Sequence, residues 1–231
     1  MITPLEVIEL TKIYNRKEAV KNISFKINKN EIIGLLGPNG CGKTTTIGMI
    51  LGLLKPSKGT VLINGISIED KRVELLNDIN FISPYIELPK KLSVQQNLEV
   101  YGRLYDVTEL KSKIEELTER LRLNEIIYKI TGELSTNQKN RVSLAKSIIN
   151  NPKVLLLDEP TASLDPETGD FVRGFLEDYQ KENSASILLA SHNMTEVERL
   201  CSSVFMMKKG TIIDQDSPKK LIQKHGRKNL E

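Results

Sequence analysis

The nine residues GPNGCGKTT, 37 to 45, limit the possible folds of this chain more than any other feature. They fit the pattern Gly-x-x-x-x-Gly-Lys-Ser/Thr, follow the apolar run EIIGLLG, and open onto TTTIGMILGL, a helical stretch. EIIGLLG is almost wholly apolar, as expected of a strand buried on both faces. Glycines at 37, 40 and 42 let the backbone wrap phosphate oxygens with its amides inward, and the helix N-terminus adds positive potential. Lys43 has the reach for β- and γ-phosphates, and the Thr44 hydroxyl suits magnesium. A nucleoside triphosphate site is the expectation. Cys41 lies inside the loop and reads first as a small loop residue; the alternative is a thiolate favoured by inward amides and shielded by bound phosphate.

Further along, VLLLDEP buries four apolar residues and leaves Asp158 and Glu159 at the C-terminal end of a strand, where open parallel sheets place their ligands. Asp158 suits magnesium, directly or through water, and Glu159 suits orienting or deprotonating an attacking water. Short apolar strands alternating with helical patterns give an α/β class. LEVIEL, ISFKI, EIIGLLG and GTVLING read as strands, the last closing on the turn pair Asn64-Gly65. From Ser93 to about Arg122 the pattern is helical, with Leu110, Ile114, Leu117 and Leu121 on one apolar face. Next come a helix at 134–149, a helix after Pro166, the strand SILLAS, the hairpin VFMMKKGTII and a basic terminal helix. With 231 residues and no linker or repeat, residues 1–231 read as a single domain with a helical lobe inserted at about 84–152.

Composition excludes several classes. The net charge of +3 does not by itself support nucleic-acid binding, and none is expected. Two cysteines suggest no disulfide framework and fit a reducing compartment. MITPLEVIEL lacks the features of a signal peptide, and no apolar run reaches the roughly 20 residues that cross a bilayer. Membrane work would need other chains. The basic excess near the end, Lys219, Lys220, Lys224, Arg227 and Lys228, reads as a solvated tail, with anionic lipid contact the sharper alternative.

GPNGCGKTT, LLLDEPTASLD and SHNM, in this order, resemble the ATPase domain of ABC transporters over nearly the whole chain. The resemblance implies a P-loop NTPase with a RecA-like core of mainly parallel sheet, an antiparallel β lobe and an inserted helical lobe. It implies ATP and Mg2+ as ligands, and two such domains, identical or not, sandwiching ATP head to tail. It assigns Gly37, Pro38, Asn39, Gly40, Cys41, Gly42, Lys43, Thr44 and Thr45 to the nucleotide, with Tyr14 stacked on adenine and Val20 beside it; core packing is the alternative for these last two. His192 resembles the histidine that contacts the γ-phosphate, and Asp165 the loop that links the two sites. The ending TIIDQDSPKKLIQKHGRKNLE resembles ABC-2-type export ATPases, so transmembrane transporter subunits are the implied partners, with the chain cytoplasmic on the inner face of the membrane.

LSTNQ stands where the family's signature is usually LSGGQ. Ser135, Thr136 and Asn137 read as a polar helix cap, and by resemblance Ser135, Thr136, Asn137 and Gln138 address the phosphate held by the opposite subunit. Asn137 replaces a glycine that permits φ > 0 and close phosphate approach, so a slowed composite site is expected. The family's coupling glutamine falls near Pro84, where none occurs; Ser83 and Tyr85 are the neighbours, and Gln95 and Gln96 lie too far on. Three functions follow: an ATPase powering a membrane exporter, a degenerate regulatory half of a heterodimeric ATPase, or an ABC ATPase uncoupled from transport. A GTPase would want Asn-Lys-x-Asp after the loop, whereas NKNE at 28–31 precedes it.

Overall fold

The computed structural model describes residues 2–84 and 86–226. In chain order it has β1 (Leu5–Tyr14), β2 (Lys17–Ile27), β3 (Ile32–Leu36), α1 (Lys43–Ile50), β4 (Lys58–Ile63), β5 (Ile66–Ser67), α2 (Arg72–Leu75) and β6 (Ile79–Ile82). Then follow α3 (Val94–Leu104), α4 (Leu110–Arg120), a 3-10 turn (Thr131–Glu133), α5 (Thr136–Ile148), β7 (Val154–Asp158), α6 (Pro166–Asn183) and β8 (Ser186–Ser191). The last elements are α7 (Met194–Leu200), β9 (Ser203–Lys208), β10 (Thr211–Asp216) and α8 (Pro218–His225).

Two sheets result. The first is antiparallel, in the order β2-β1-β4-β5, and its β4–β5 hairpin turns at Asn64 and Gly65, whose φ angles of 51° and 79° suit a two-residue turn. The second runs β10-β9-β3-β8-β7-β6, parallel from β9 to β6, with β10 antiparallel at its edge.

Why the central strands are apolar throughout is visible in their packing. Side chains alternate between faces along a strand. Ile32 and Leu36 of β3, Leu155 and Leu157 of β7, and Ile187 and Leu189 of β8 therefore join one core with α3–α7. Ile33 and Leu35, Val154 and Leu156, and Leu188 and Ala190 join the other, shared with α1 and the antiparallel sheet. Each such Ile, Leu or Val side chain contributes about 1.5–3 kcal/mol by leaving water. The segment between β6 and β7 carries α3, α4 and α5, and its Leu98, Leu117 and Leu144 belong to the first core.

One expectation needs correction. The helical stretch 93–122 is two helices, because the chain turns between them with Asp106 and Glu109 at φ 50° and 53°. INFI, just before Pro84, forms the edge strand β6.

Candidate nucleotide site

The phosphate loop leaves β3 and enters α1, whose N-terminus has no side-chain cap, so its first amides keep their capacity for an anion. The loop is anchored from outside: Gly37 N–H donates to the Ser191 carbonyl at 3.3 Å and Gly210 N–H to the Cys41 carbonyl at 2.9 Å. Close approach makes two glycines necessary. A Cβ at Gly37 would lie 2.2 Å from the Met207 carbonyl oxygen, and Gly42, at φ 115°, would press one to 2.8 Å from the Ala19 carbonyl oxygen. Pro38, Asn39, Gly40 and Thr44 are exposed along the mouth, with Thr45 half-buried behind them. The Lys43 ammonium is buried, donating to the Gly37 carbonyl at 2.6 Å and lying 3.5 Å from Glu159 Oε1.

Parallel pairing of β7 with β8 brings Asp158 and Glu159 beside this loop. Thr44 Oγ1 donates to Asp158 Oδ2 at 2.9 Å, while the buried Asp158 Oδ1 has no hydrogen-bond partner. Burial pushes the Asp158 carboxyl above the usual range, with the Thr44 hydrogen bond and Lys43 opposing. An unpartnered carboxylate oxygen next to a hydroxyl is an oxygen-only donor set, and it fits Mg2+ completed by phosphate and water. Glu159 adopts φ 51°, a sparsely populated conformation for a non-glycine residue, and its N–H donates to the Ala190 carbonyl at 2.8 Å. Its Oε2 lies 2.8 Å from His192 Nδ1, just beyond the end of β8. Lys43, Thr44, Asp158, Glu159 and His192 thus form one cluster.

At the start of α5, Ser135 is the N-cap in a closed capping box. Its Oγ accepts from Gln138 N–H at 3.3 Å, and Gln138 Oε1 accepts from Ser135 N–H at 3.0 Å. Only Ser135 caps; Thr136 and Asn137 are already helical. Asn137 is absent from the positive-φ residues, so the conformational argument for glycine there is corrected: a helical residue needs no left-handed backbone, and only side-chain bulk remains at issue. The Asn137 amide donates to Asp165 Oδ2. Asp165 caps α6 through Thr168 N–H at 2.9 Å and Thr168 Oγ1 at 2.8 Å, and these bonds hold its carboxyl below the usual range.

A family model described as "ABC transporter" matches residues 20–162, and the phosphate loop and Asp158–Glu159 lie inside that match. The chain belongs to the ABC transporter family. It is 38% identical to the uncharacterized ABC transporter ATP-binding protein YhcH of Bacillus subtilis, over 93% of this chain and 70% of that one. It is 32% identical to Nod factor export ATP-binding protein I of Burkholderia thailandensis, over 96% of this chain and 73% of that one. Its fold matches the dimeric, post-hydrolysis ATP-binding cassette MJ0796, bound to ADP and Pi, with a TM-score of 0.84 and 25% identity. That alignment covers 93% of this chain and 98% of the other. The chain is therefore an ABC ATP-binding domain with a P-loop NTPase fold.

The structure places the remaining ABC-like residues individually, and Val20 fits its core-packing alternative. Val20 is fully buried on the inward face of β2, with its Cγ2 3.3 Å from where a Gly42 Cβ would sit; it supports the loop from beneath and offers no surface to a base. Tyr14 is 43% exposed, with the Lys12 ammonium 5.2 Å from its ring centroid. Cys41 faces inward, and burial raises its thiol pKa, which favours a small loop residue over an activated thiolate. Near Pro84, a cavity of about 330 Å³ separates Ser83 and Pro84 from Thr136, Lys139 and Asn140, with Glu159 on its wall. Tyr85 lies outside the described residues. Gln96 closes the cap of α3 and Gln95 donates to Glu99, so both serve their own helix. Of the basic tail, Lys220 pairs with Asp216, and Lys224 with Asp214 and Asp216. Those pairs favour the solvated reading; Arg227 and Lys228 lie outside the described residues.

Sequence reasoning also passed over Asn140, whose Nδ2 donates to the Pro160 carbonyl at 2.8 Å and links α5 to the segment after Glu159. No local signal marks it, since an asparagine within a helix ordinarily faces solvent.

Proposed function

We propose that this chain is the ATP-hydrolysing subunit of a membrane exporter, working as a head-to-tail dimer on the inner face of the membrane with separate transmembrane subunits. The observation that carries this reading is Glu159, held between the Lys43 ammonium at 3.5 Å and His192 at 2.8 Å. The phosphate loop and Lys43 bind the triphosphate, and the ammonium exchanges its Gly37 carbonyl for phosphate oxygens. Thr44 and Asp158 hold Mg2+, which neutralises charge on the phosphate oxygens when bound. Glu159 accepts a proton from, or orients, the attacking water, and His192 keeps that carboxylate directed while reaching toward the γ-phosphate. Tyr14 offers its face to adenine. Ser135 and the first amides of α5 complete the site of a second domain. Export is supported by the relative named for it and by the tail's resemblance, and pairing by the dimeric neighbour.

One observation favours the regulatory-half alternative. Asn137 is engaged with Asp165 of its own chain, which draws the signature toward a contact in cis and away from a partner's phosphate. Turnover per chain, measured as concentration rises with Glu159→Gln as control, separates the two. A rate that climbs with concentration and vanishes in the control supports hydrolysis by identical pairs. ATP binding without turnover at any concentration defeats that reading and favours the regulatory half.

A further inference from the structure

Beside the hydrolytic pair lies a buried carboxylate with no role so far. Glu196 is the third residue of α7 and 2% exposed. The spacing Asn193-x-x-Glu196 reads as a capping pair in which the glutamate reaches back to the cap amide. The fold does otherwise. Asn193 N–H donates to Ser191 Oγ at 3.0 Å, and the Glu196 side chain turns into the protein.

There each carboxylate oxygen takes one hydroxyl. Thr161 Oγ1 donates to Oε1 at 2.7 Å, and Ser191 Oγ donates to Oε2 at 2.7 Å. Thr161 stands two residues after Glu159, and Ser191 immediately precedes His192. The two bonds bracket the two residues whose contact defines the site. No lysine or arginine pairs with this carboxylate among the described residues, so the hydroxyls are its hydrogen-bond partners. A buried carboxyl whose two oxygens are taken up by hydroxyls of two separate segments ties those segments at a fixed relative position.

We propose that Glu196 is a positioning residue for the hydrolytic pair, tying the segment that carries Glu159 to the strand end that carries His192. The inference rests on the hydrolytic roles of Glu159 and His192 proposed above. Glu196 is buried and held by Thr161 and Ser191, so it acts through them by fixing the 2.8 Å Glu159–His192 contact.

The test uses the full chain with Glu196→Gln, supported by Ser191→Ala and Thr161→Val, which each remove one hydroxyl and leave the carboxylate. Misplacing a catalytic group by a fraction of its contact distance costs between about 10- and 100-fold, so kcat should fall by that range in Glu196→Gln. The KM and Kd for ATP should stay within about twofold, because the phosphate loop is untouched. In a His192→Ala background the Glu196→Gln loss should disappear. An unchanged kcat, or the same fold loss in both backgrounds, overturns the proposal. A second readout needs no turnover. His192 and His225 are the only histidines in the sequence, so their ring nitrogen resonances in the nucleotide-free protein are separable. Glu196→Gln and the hydroxyl variants should shift His192 and spare His225. A wild type that never hydrolyses ATP defeats the parent reading, and the His192 resonance still decides the positioning role; an unmoved resonance refutes it.

Discussion

Asp158→Asn should make the empty protein more stable and the nucleotide-loaded protein less so. Asp158 is 1% exposed; its Oδ2 accepts from Thr44, its Oδ1 accepts from nothing, and burial raises its pKa. Leaving a buried acceptor unpaired costs about 1–3 kcal/mol, more when it is charged. An asparagine keeps the acceptor for Thr44 and removes the charge. Lys43 retains the Gly37 carbonyl and Glu159, so the change strands no cation. Because one unpaired polar group remains in the variant, the expected net gain is the low end of that range, about 1 kcal/mol. For a chain of this length that raises Tm by about 2–4 °C.

With magnesium and ATP the order should reverse. A ligand at about 100 times its Kd adds about 2.7 kcal/mol to the folded state. The variant should lose the magnesium-dependent share, since the unpartnered Oδ1 is the oxygen proposed to ligate the metal. Urea unfolding with ATP in EDTA, and again with magnesium, gives both quantities for both proteins. A variant less stable than wild type when empty, or one that keeps the full magnesium increment, refutes the assignment of Asp158 Oδ1 to the metal.

Two further outcomes follow from the same geometry. Asn137→Gly releases α5 from Asp165 and opens room for a partner's phosphate, so turnover at saturating protein concentration should rise about tenfold or more; an unchanged concentration-dependent rate would mean the cis contact does not limit the composite site. Burial raises the Glu196 carboxyl, against the Thr161 and Ser191 hydrogen bonds. A raised folded pKa gives stability that is fully present below the unfolded value of about 4.3 and is lost as pH rises through the folded value. Wild-type stability relative to Glu196→Gln should therefore decline from about pH 4 upward, measured by urea unfolding, and a flat or rising difference would contradict the burial argument.

The strand–loop–helix order around residues 37–45 and the strand ending in Asp158–Glu159 were legible from local pattern: short apolar runs bounded by turn or loop residues suit strands buried on both faces, and close approach requires glycine at 37 and 42. Hairpins at Asn64-Gly65 and Lys209-Gly210 were legible for the same reason. Contacts between distant segments were not. Val20 and Cys41 point inward because of how β2 and the loop pack, not because of their neighbours in sequence. Asn137 meets Asp165 across 28 positions, Glu159 meets His192 across 33, and Thr161 meets Glu196 across 35. By itself the sequence determined the α/β class and a triphosphate-binding loop, through short-range constraints on backbone and burial, while the lobes of the fold and the choice of ATP came from its resemblance to a family. The tertiary structure decided which side chains hold one another in the site, because hydrogen bonds between remote segments exist only once both cores have packed and fixed their ends.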